Sequence, residues 1–173
     1  MIQPQPPDPS WPRYTAIPFP LYRFVPGRHP HPRRNPLGHS YGRPEPHVAP
    51  FLPDAWRQAE GYLYGIDLYN YAYWWECHEV FESYWHAVGP KTEQGNFFQA
   101  LIQLAAAHLK QAVGEVRAAD NLMERGLIRL ENVPDRYMGV DVLGLREDVR
   151  RHGIGQTQRP VLIRLDGPIE PPA

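Results

Sequence analysis

Apolar residues recur at spacings of three and four from Asp54 to about residue 151, which is the period of helices with one buried face. In the first run these positions are Trp56, Ala59, Tyr62, Leu63, Ile66 and Tyr69. Glycine and proline divide the region into segments, because glycine suits the end of a helix and proline cannot continue one. The short turns between consecutive helices predict antiparallel neighbours, and therefore an all-α bundle of about four to five helices.

The boundaries follow from capping residues and from residues that end a helix. Further helices are predicted at about 71–88, from Thr92 to Val113, at about 115–132 and at about 140–151. Gly89-Pro90 ends the second helix, while Thr92 and Asp141 are the capping residues of the third and the last. Residues 161–165, Val-Leu-Ile-Arg-Leu, predict a lone strand whose partner the sequence does not identify.

The first 53 residues have a different composition and form what we call the N-terminal arm. Of the 21 prolines, 14 lie in residues 1–50, together with six arginines, four histidines and two acids. The arm therefore carries about +4 of charge, which leaves about −5 for the rest of a chain whose net charge is −1. Its aromatic residues favour an extended segment packed on an acidic body over a free tail. The predicted units are the arm at 1–53, the bundle at 54–152 and an extended tail at 153–173.

Composition excludes several classes of protein. A length of 173 residues is enough for one domain with its own core, and a single cysteine, Cys77, cannot form an internal disulfide. Because Cys77 falls on an apolar helix face, we expect a buried, inert thiol. No apolar run approaches the ~20 residues of a membrane span, and the early prolines exclude a signal peptide. We therefore expect a cytoplasmic protein. Four of the arm arginines, Arg28, Arg33, Arg34 and Arg43, could contact phosphates, but no helix or strand presents them, which disfavours nucleic-acid binding.

The second helix carries the candidate chemistry. His78 and Glu82 lie one turn apart on a strip that also holds Tyr71, Trp75 and Trp85, so we expect this pair to be sheltered from water. The positions on the opposite, polar side are Glu76, Glu79, Ser83 and His86. If the second and third helices pair antiparallel, the His78–Glu82 strip can face Gln99 and Gln103. That arrangement predicts a hydrogen-bonded polar seam between the two helices.

These segments resemble the bacterial and archaeal family called domain of unknown function 309. The pattern has an aromatic pair, Glu-x-His-Glu, another Glu, a Trp and a Gln-x-Leu-Ile-Gln helix start. The residues on matching positions are Glu76, His78, Glu79, Glu82, Trp85, Gln99 and Gln103. The resemblance covers about residues 66–145 and implies a small all-α bundle without an assigned activity. Ala100 stands where the family usually has glycine, Gly114-Glu115 replaces a common Gly-Asn turn, and His108 has no clear counterpart.

Three readings of the second helix remain open. His78 and Glu82 can converge on a divalent metal or an acid–base site with Glu79 or Glu76 beside them, although the His-x-x-x-Glu spacing supplies only two ligands. A third ligand would come from elsewhere, for example from His108 or an arm histidine. The same residues can instead form a structural His–Glu–Gln network. The third reading is an organic-ligand pocket, whose candidate residues are Glu76, His78, Glu82, Trp75, Trp85, Gln99 and Gln103.

Two functions follow from these readings. The first is a binding or assembly module with a structural seam, whose arm docks on its own body or joins copies into a homo-oligomer. The second is a small metal-dependent or acid–base enzyme of hydrolase type that uses His78, Glu79 and Glu82. The arm histidines at 29, 31, 39 and 47 could close over such a site as a lid. The sequence implies no firm cofactor beyond a candidate divalent metal, and its partner is an unidentified small molecule or protein.

Overall fold

The computed structural model describes residues 11–45, 47–153 and 159–167. Within these ranges, a 3-10 helix at Pro53–Gln58 precedes five α-helices and one hairpin whose two strands have two residues each. The elements are α1 (Glu60–Asn70), α2 (Trp74–Val88), α3 (Glu93–Ala112), α4 (Val116–Leu130), β1 (Arg136–Tyr137), β2 (Val140–Asp141) and α5 (Val142–Gly153). The predicted all-α bundle is confirmed. Within the described ranges, no helix is both long enough and apolar enough to cross a membrane.

The predicted capping residues hold the helix ends. The Thr92 hydroxyl accepts a hydrogen bond from the Gly95 backbone N–H at 2.8 Å and begins α3. Asp141 does the same for Gly144 at 3.0 Å, at the start of α5. Gly89 ends α2 with a φ of 89°, a conformation that residues with a side chain rarely adopt. These three boundaries depend only on local chemistry, which is why the sequence predicts them.

Two features near the edges of the bundle differ from the sequence prediction. The hairpin of β1 and β2 was not predicted, because its strands are shorter than any periodic signal. Residues 161–164 form no strand, and only Leu165 makes an antiparallel bridge, to Val140. The backbone N–H and C=O of Ile163 instead bond to the side chain of Asn70 at 2.8 and 2.7 Å. The Asn70 side-chain amide thus satisfies the two backbone groups that a partner strand would otherwise bond.

The core lies where α3 packs against both α2 and α4. Phe81, Phe98 and Tyr62 are fully buried, and the Tyr84 ring stacks on Phe98 with centroids 5.1 Å apart. Gly65 allows α1 to approach α2 closely, because a Cβ there would lie 2.5 Å from the Phe81 ring. Cys77 is fully buried in this core, as its position on the apolar face predicts. These contacts fix the orientation of α2 and therefore of its polar strip.

The described residues before Pro53 form neither helix nor strand, yet several contact the bundle. The backbone N–H groups of Tyr14 and Thr15 bond to the carboxylate of Asp67 at 2.8 and 2.9 Å, and the Thr15 hydroxyl adds a third bond at 2.8 Å. The Tyr14 hydroxyl accepts a bond from the Leu165 N–H at 2.9 Å. The division into units at 1–53, 54–152 and 153–173 stays a prediction, since each terminal unit includes residues outside the described ranges.

Candidate functional site

The outer side of α2 brings three potential ligand groups together, which we call the α2 cluster: His78, Glu79 and Glu82. One ligand atom from each lies within 4.8 Å of the others. The Nδ1 of His78 is 3.7 Å from Glu79, and its Nε2 is 3.9 Å from Glu82. Both distances fit ion pairs but exceed a hydrogen bond. The side chains are 32%, 20% and 43% exposed, so a ligand from solvent can reach all three.

The arm supplies the strongest partner of Glu79. The Nε of Arg33 donates a hydrogen bond to the Glu79 carboxylate at 2.8 Å. Burial alone would raise the pKa of Glu79, but the contacts with His78 and Arg33 outweigh burial and leave that pKa below its ordinary value. Glu79 is therefore ionised at neutral pH. It can act as a metal ligand or an ion-pair partner, but not as a proton donor.

Glu76 corrects the placement made from the helical wheel. The sequence puts it on the polar side of the helix, opposite the apolar face, whereas in the structure it is buried beneath the arm. Its Oε1 accepts one hydrogen bond from the Phe24 N–H at 3.1 Å and lies 2.8 Å from the Nε2 of His39. Its Oε2 is buried and has no hydrogen-bond partner among the described residues. The helical wheel does not predict this burial because it considers only packing between helices. It takes no account of an irregular segment, such as the arm, that covers a helix.

Aromatic rings lie along α2, and several of them belong to the arm. The Trp75 ring meets Phe24 and His31 edge to face, with centroids 5.6 and 5.5 Å apart, and His39 at 6.5 Å. On the following turns, Trp85 packs against the core and its indole N–H is buried without a partner in the described ranges. The predicted shelter of His78 and Glu82 is therefore partial, because both side chains keep a path to solvent.

The predicted hydrogen-bonded seam is not found. None of the hydrogen bonds between described residues joins His78 or Glu82 to Gln99 or Gln103, and the Oε1 atoms of both glutamines are buried without a partner. The groove that the glutamines line is completed by α4 rather than α2. Periodicity places the two glutamines on one side of α3 but does not determine which neighbouring helix lies opposite them.

The four arm histidines do not act as one group. His39 contacts Glu76 and the Trp75 ring, and His31 also lies against Trp75. His29 stacks on Tyr22 with centroids 5.3 Å apart, and His47 is exposed beside a separate groove of about 340 Å³. His31 and His39 contact Trp75 and Glu76, which are not members of the α2 cluster. A lid of arm histidines over the α2 cluster therefore stays a prediction.

The sequence prediction gave Asp67 no role and did not identify the neighbours of His108. Asp67 is fully buried and binds residues 13–15, with Arg13 Nε at 3.2 Å from its carboxylate. The signal was a single acid inside the apolar run Ile66-Asp67-Leu68, which in a helix is buried only when it has partners. His108 is buried against Trp74, Tyr69 and His152, so it is not a third ligand for the α2 cluster.

Burial dominates the chemistry of the two core histidines. Burial, with a smaller contribution from the neighbouring His152, lowers the pKa of His108 to about 3. Burial also lowers the pKa of His152, whose Nε2 lies 2.9 Å from the Gln111 side chain. Both rings are therefore neutral at neutral pH. His108 is a buried core histidine, and its neighbours in sequence, Leu104 and Ala105, are buried with it.

Comparison with known proteins agrees with the resemblance seen in the sequence. A family model described as Domain of unknown function (DUF309) matches residues 62–122. The match spans most of α1, all of α2 and α3, and the beginning of α4, so it includes both resembling segments. The resemblance is confirmed over these residues, and the family description assigns no activity. A search of curated proteins finds no match.

Proposed function

We propose, for a chain whose residues 62–122 match a family without an assigned activity, that it is a binding and assembly module. In this proposal α2 is a receptor for a basic, proline-rich segment. One observation carries it: Glu76 and Glu79, one turn apart on α2, receive three arm contacts of 2.8–3.1 Å. These contacts join a positively charged segment to the acidic body, which is the complementarity expected of a recognition surface.

The same contacts offer a route to a homo-oligomer. Phe24, Arg33 and His39 reach α2 from a segment without helix or strand, so the arm of a second copy can make identical contacts. Exchange of an identical segment between copies adds few new interactions and therefore costs little free energy. The module would then hold its own arm at low concentration and a neighbour's arm at high concentration.

Replacing Glu79 by glutamine is expected to release the arm locally. The change removes the charge that Arg33 contacts and should cost about 1 kcal/mol, or roughly fivefold in the rate of trypsin cleavage after Arg34. Glu82→Gln is the matched control, because Glu82 lies on the same helix and contacts His78 rather than the arm. Equal cleavage rates in the two variants would contradict the proposal.

Sedimentation velocity on the same proteins distinguishes the two forms of assembly. A monomer whose arm is protected indicates docking on its own body. A dimer that dissociates in Glu79→Gln indicates exchange between copies.

The second candidate function is a divalent-cation site formed by the α2 cluster. One nitrogen and two carboxylate oxygens within 4.8 Å are a ligand set that several divalent metals accept, and the exposure of the three side chains leaves room for water ligands. Glu79 is already ionised and therefore ready to bind. A cation held there would supply a bound water of lowered pKa, which the hydrolase-type alternative requires.

A titration with Mn²⁺, followed by the electron paramagnetic resonance signal of the free ion, tests this candidate. His78→Ala should weaken binding by about tenfold or more, because it removes one of three protein ligands. Arg33→Gln should strengthen binding, because it removes a positive charge beside Glu79. His86→Ala is the control on the same helix, since His86 is exposed and outside the cluster. Equal affinity in His78→Ala and His86→Ala would exclude the site.

A further inference from the structure

A groove of about 430 Å³ lies between α3 and α4, on residues that the proposed function does not use. We call it the α3–α4 groove. Its lining consists of Gln99, Gln103, Arg125, Ile128, Arg129 and Asn132. This volume falls within the range of small-molecule sites. Five of its six side chains are polar or charged, and only Ile128 is apolar.

The polar side chains form two facing pairs. Gln99 and Gln103 lie one turn apart on α3, and Arg125 and Arg129 lie one turn apart on α4. The Nη1 of Arg129 donates to the Asn96 side chain at 3.1 Å, which holds this guanidinium near the start of α3. Since α3 and α4 are antiparallel neighbours, Arg125 then falls farther along α3, toward Gln103. Two cations and two amides thus converge on one space.

The groove has an excess of positive charge. None of the residues that line it carries a carboxylate. Arg125 is exposed and makes no hydrogen bond or ion pair with the part of the chain that the structure describes, while Arg129 keeps donors beyond the one that Asn96 occupies. Two guanidinium groups one turn apart suit a doubly charged anion, because each can donate two parallel hydrogen bonds to it.

The glutamines add a second requirement for a ligand. The Oε1 atoms of Gln99 and Gln103 are buried and lack hydrogen-bond partners within the described ranges. A buried acceptor without a donor costs about 1–3 kcal/mol, so a ligand that supplies a donor gains affinity. A carboxamide can also turn over at its terminal torsion at little cost, and so it can meet a hydroxyl group either as donor or as acceptor.

We propose that the α3–α4 groove binds a small phosphate monoester of a polyol. In this arrangement Arg125 and Arg129 hold the phosphate, and Gln99 and Gln103 bond the neighbouring hydroxyl groups. The site is independent of the α2 receptor in the proposed function, since the two share no residue. Its occupation would also offset the free-energy cost of the unpartnered amide oxygens in the free protein.

Calorimetric titration of the full chain with glycerol 3-phosphate, inorganic phosphate and glycerol tests the proposal. Glycerol 3-phosphate should bind at least tenfold more tightly than inorganic phosphate, and glycerol alone should not bind detectably. Arg125→Gln should weaken glycerol 3-phosphate binding by about tenfold or more. Arg117→Gln is the control, an exposed arginine of α4 outside the groove, and should change the affinity by less than about twofold. Equal losses in the two variants would overturn the proposal.

A second variant tests the role of the amides without relying on charge. Gln103→Leu should fold normally, because the buried Oε1 of Gln103 has no partner to lose within the described residues. It should remove most of the preference for glycerol 3-phosphate over inorganic phosphate while leaving phosphate affinity nearly unchanged. An unchanged preference, or equal wild-type affinities for the two anions, would overturn the assignment of a polyol phosphate.

Discussion

Replacing Asp67 by alanine is expected to lower the free energy of unfolding by about 3–5 kcal/mol, because the change leaves several buried groups without a partner. The carboxylate accepts hydrogen bonds from the N–H groups of Tyr14 and Thr15 and from the Thr15 hydroxyl, and it pairs with Arg13. Alanine satisfies none of these groups. Urea denaturation measures the loss, and faster trypsin cleavage after Arg13 reports its location.

Two further variants make this result specific. Glu60→Ala changes an exposed acid of the same helix and should shift the free energy of unfolding by no more than about 0.5 kcal/mol. Thr15→Val removes one of the hydrogen bonds to Asp67 and should cost about 1 kcal/mol. A loss below about 1 kcal/mol for Asp67→Ala would mean that residues 13–15 contribute little to the stability of the bundle.

The sequence predicts those parts of the fold that depend on neighbours along the chain. Thr92 caps α3 through a residue three positions away, and Gly89 ends α2 through its own backbone conformation. The contacts of Asp67 and Asn70 span 53 and 93 positions, and no local pattern encodes such partners. A lone polar side chain in an apolar run indicates that a partner is needed, a signal that the sequence predictions above did not use, and it does not say which residue the partner is. Only the structure identifies it.

The candidate site also combines features set by neighbours along the chain with contacts between residues far apart in sequence. Spacing on one helix predicts His78 beside Glu82 with Glu79 or Glu76 near them, and in the structure Glu79 lies with this pair. The partners of Glu76 and Gln103 depend on which segment covers each face of a helix. An irregular arm covers Glu76, and α4 completes the groove beside Gln103. Helical periodicity finds the polar strips but does not determine what lies opposite them.

Replacing His108 by phenylalanine is expected to make stability less dependent on pH. In the folded protein the pKa of His108 is about 3, against an ordinary value of 6.5, so between these limits the unfolded chain binds one more proton. Unfolding is then favoured as the pH falls, and the His108 contribution is fully present only above about pH 6.5. One proton corresponds to about 1.4 kcal/mol per pH unit, and the phenylalanine variant should lack that slope.

Urea denaturation between about pH 6 and pH 4.5 measures this slope, and its interpretation requires no assumption about the absolute stability of the variant. Titrating groups that do not contact His108 contribute equally to both proteins. His47→Gln removes an exposed histidine and should keep the wild-type slope. If His108→Phe and His47→Gln depend on pH equally, His108 takes up a proton in the folded state and the ring cluster of Tyr69, Trp74 and His152 must admit water.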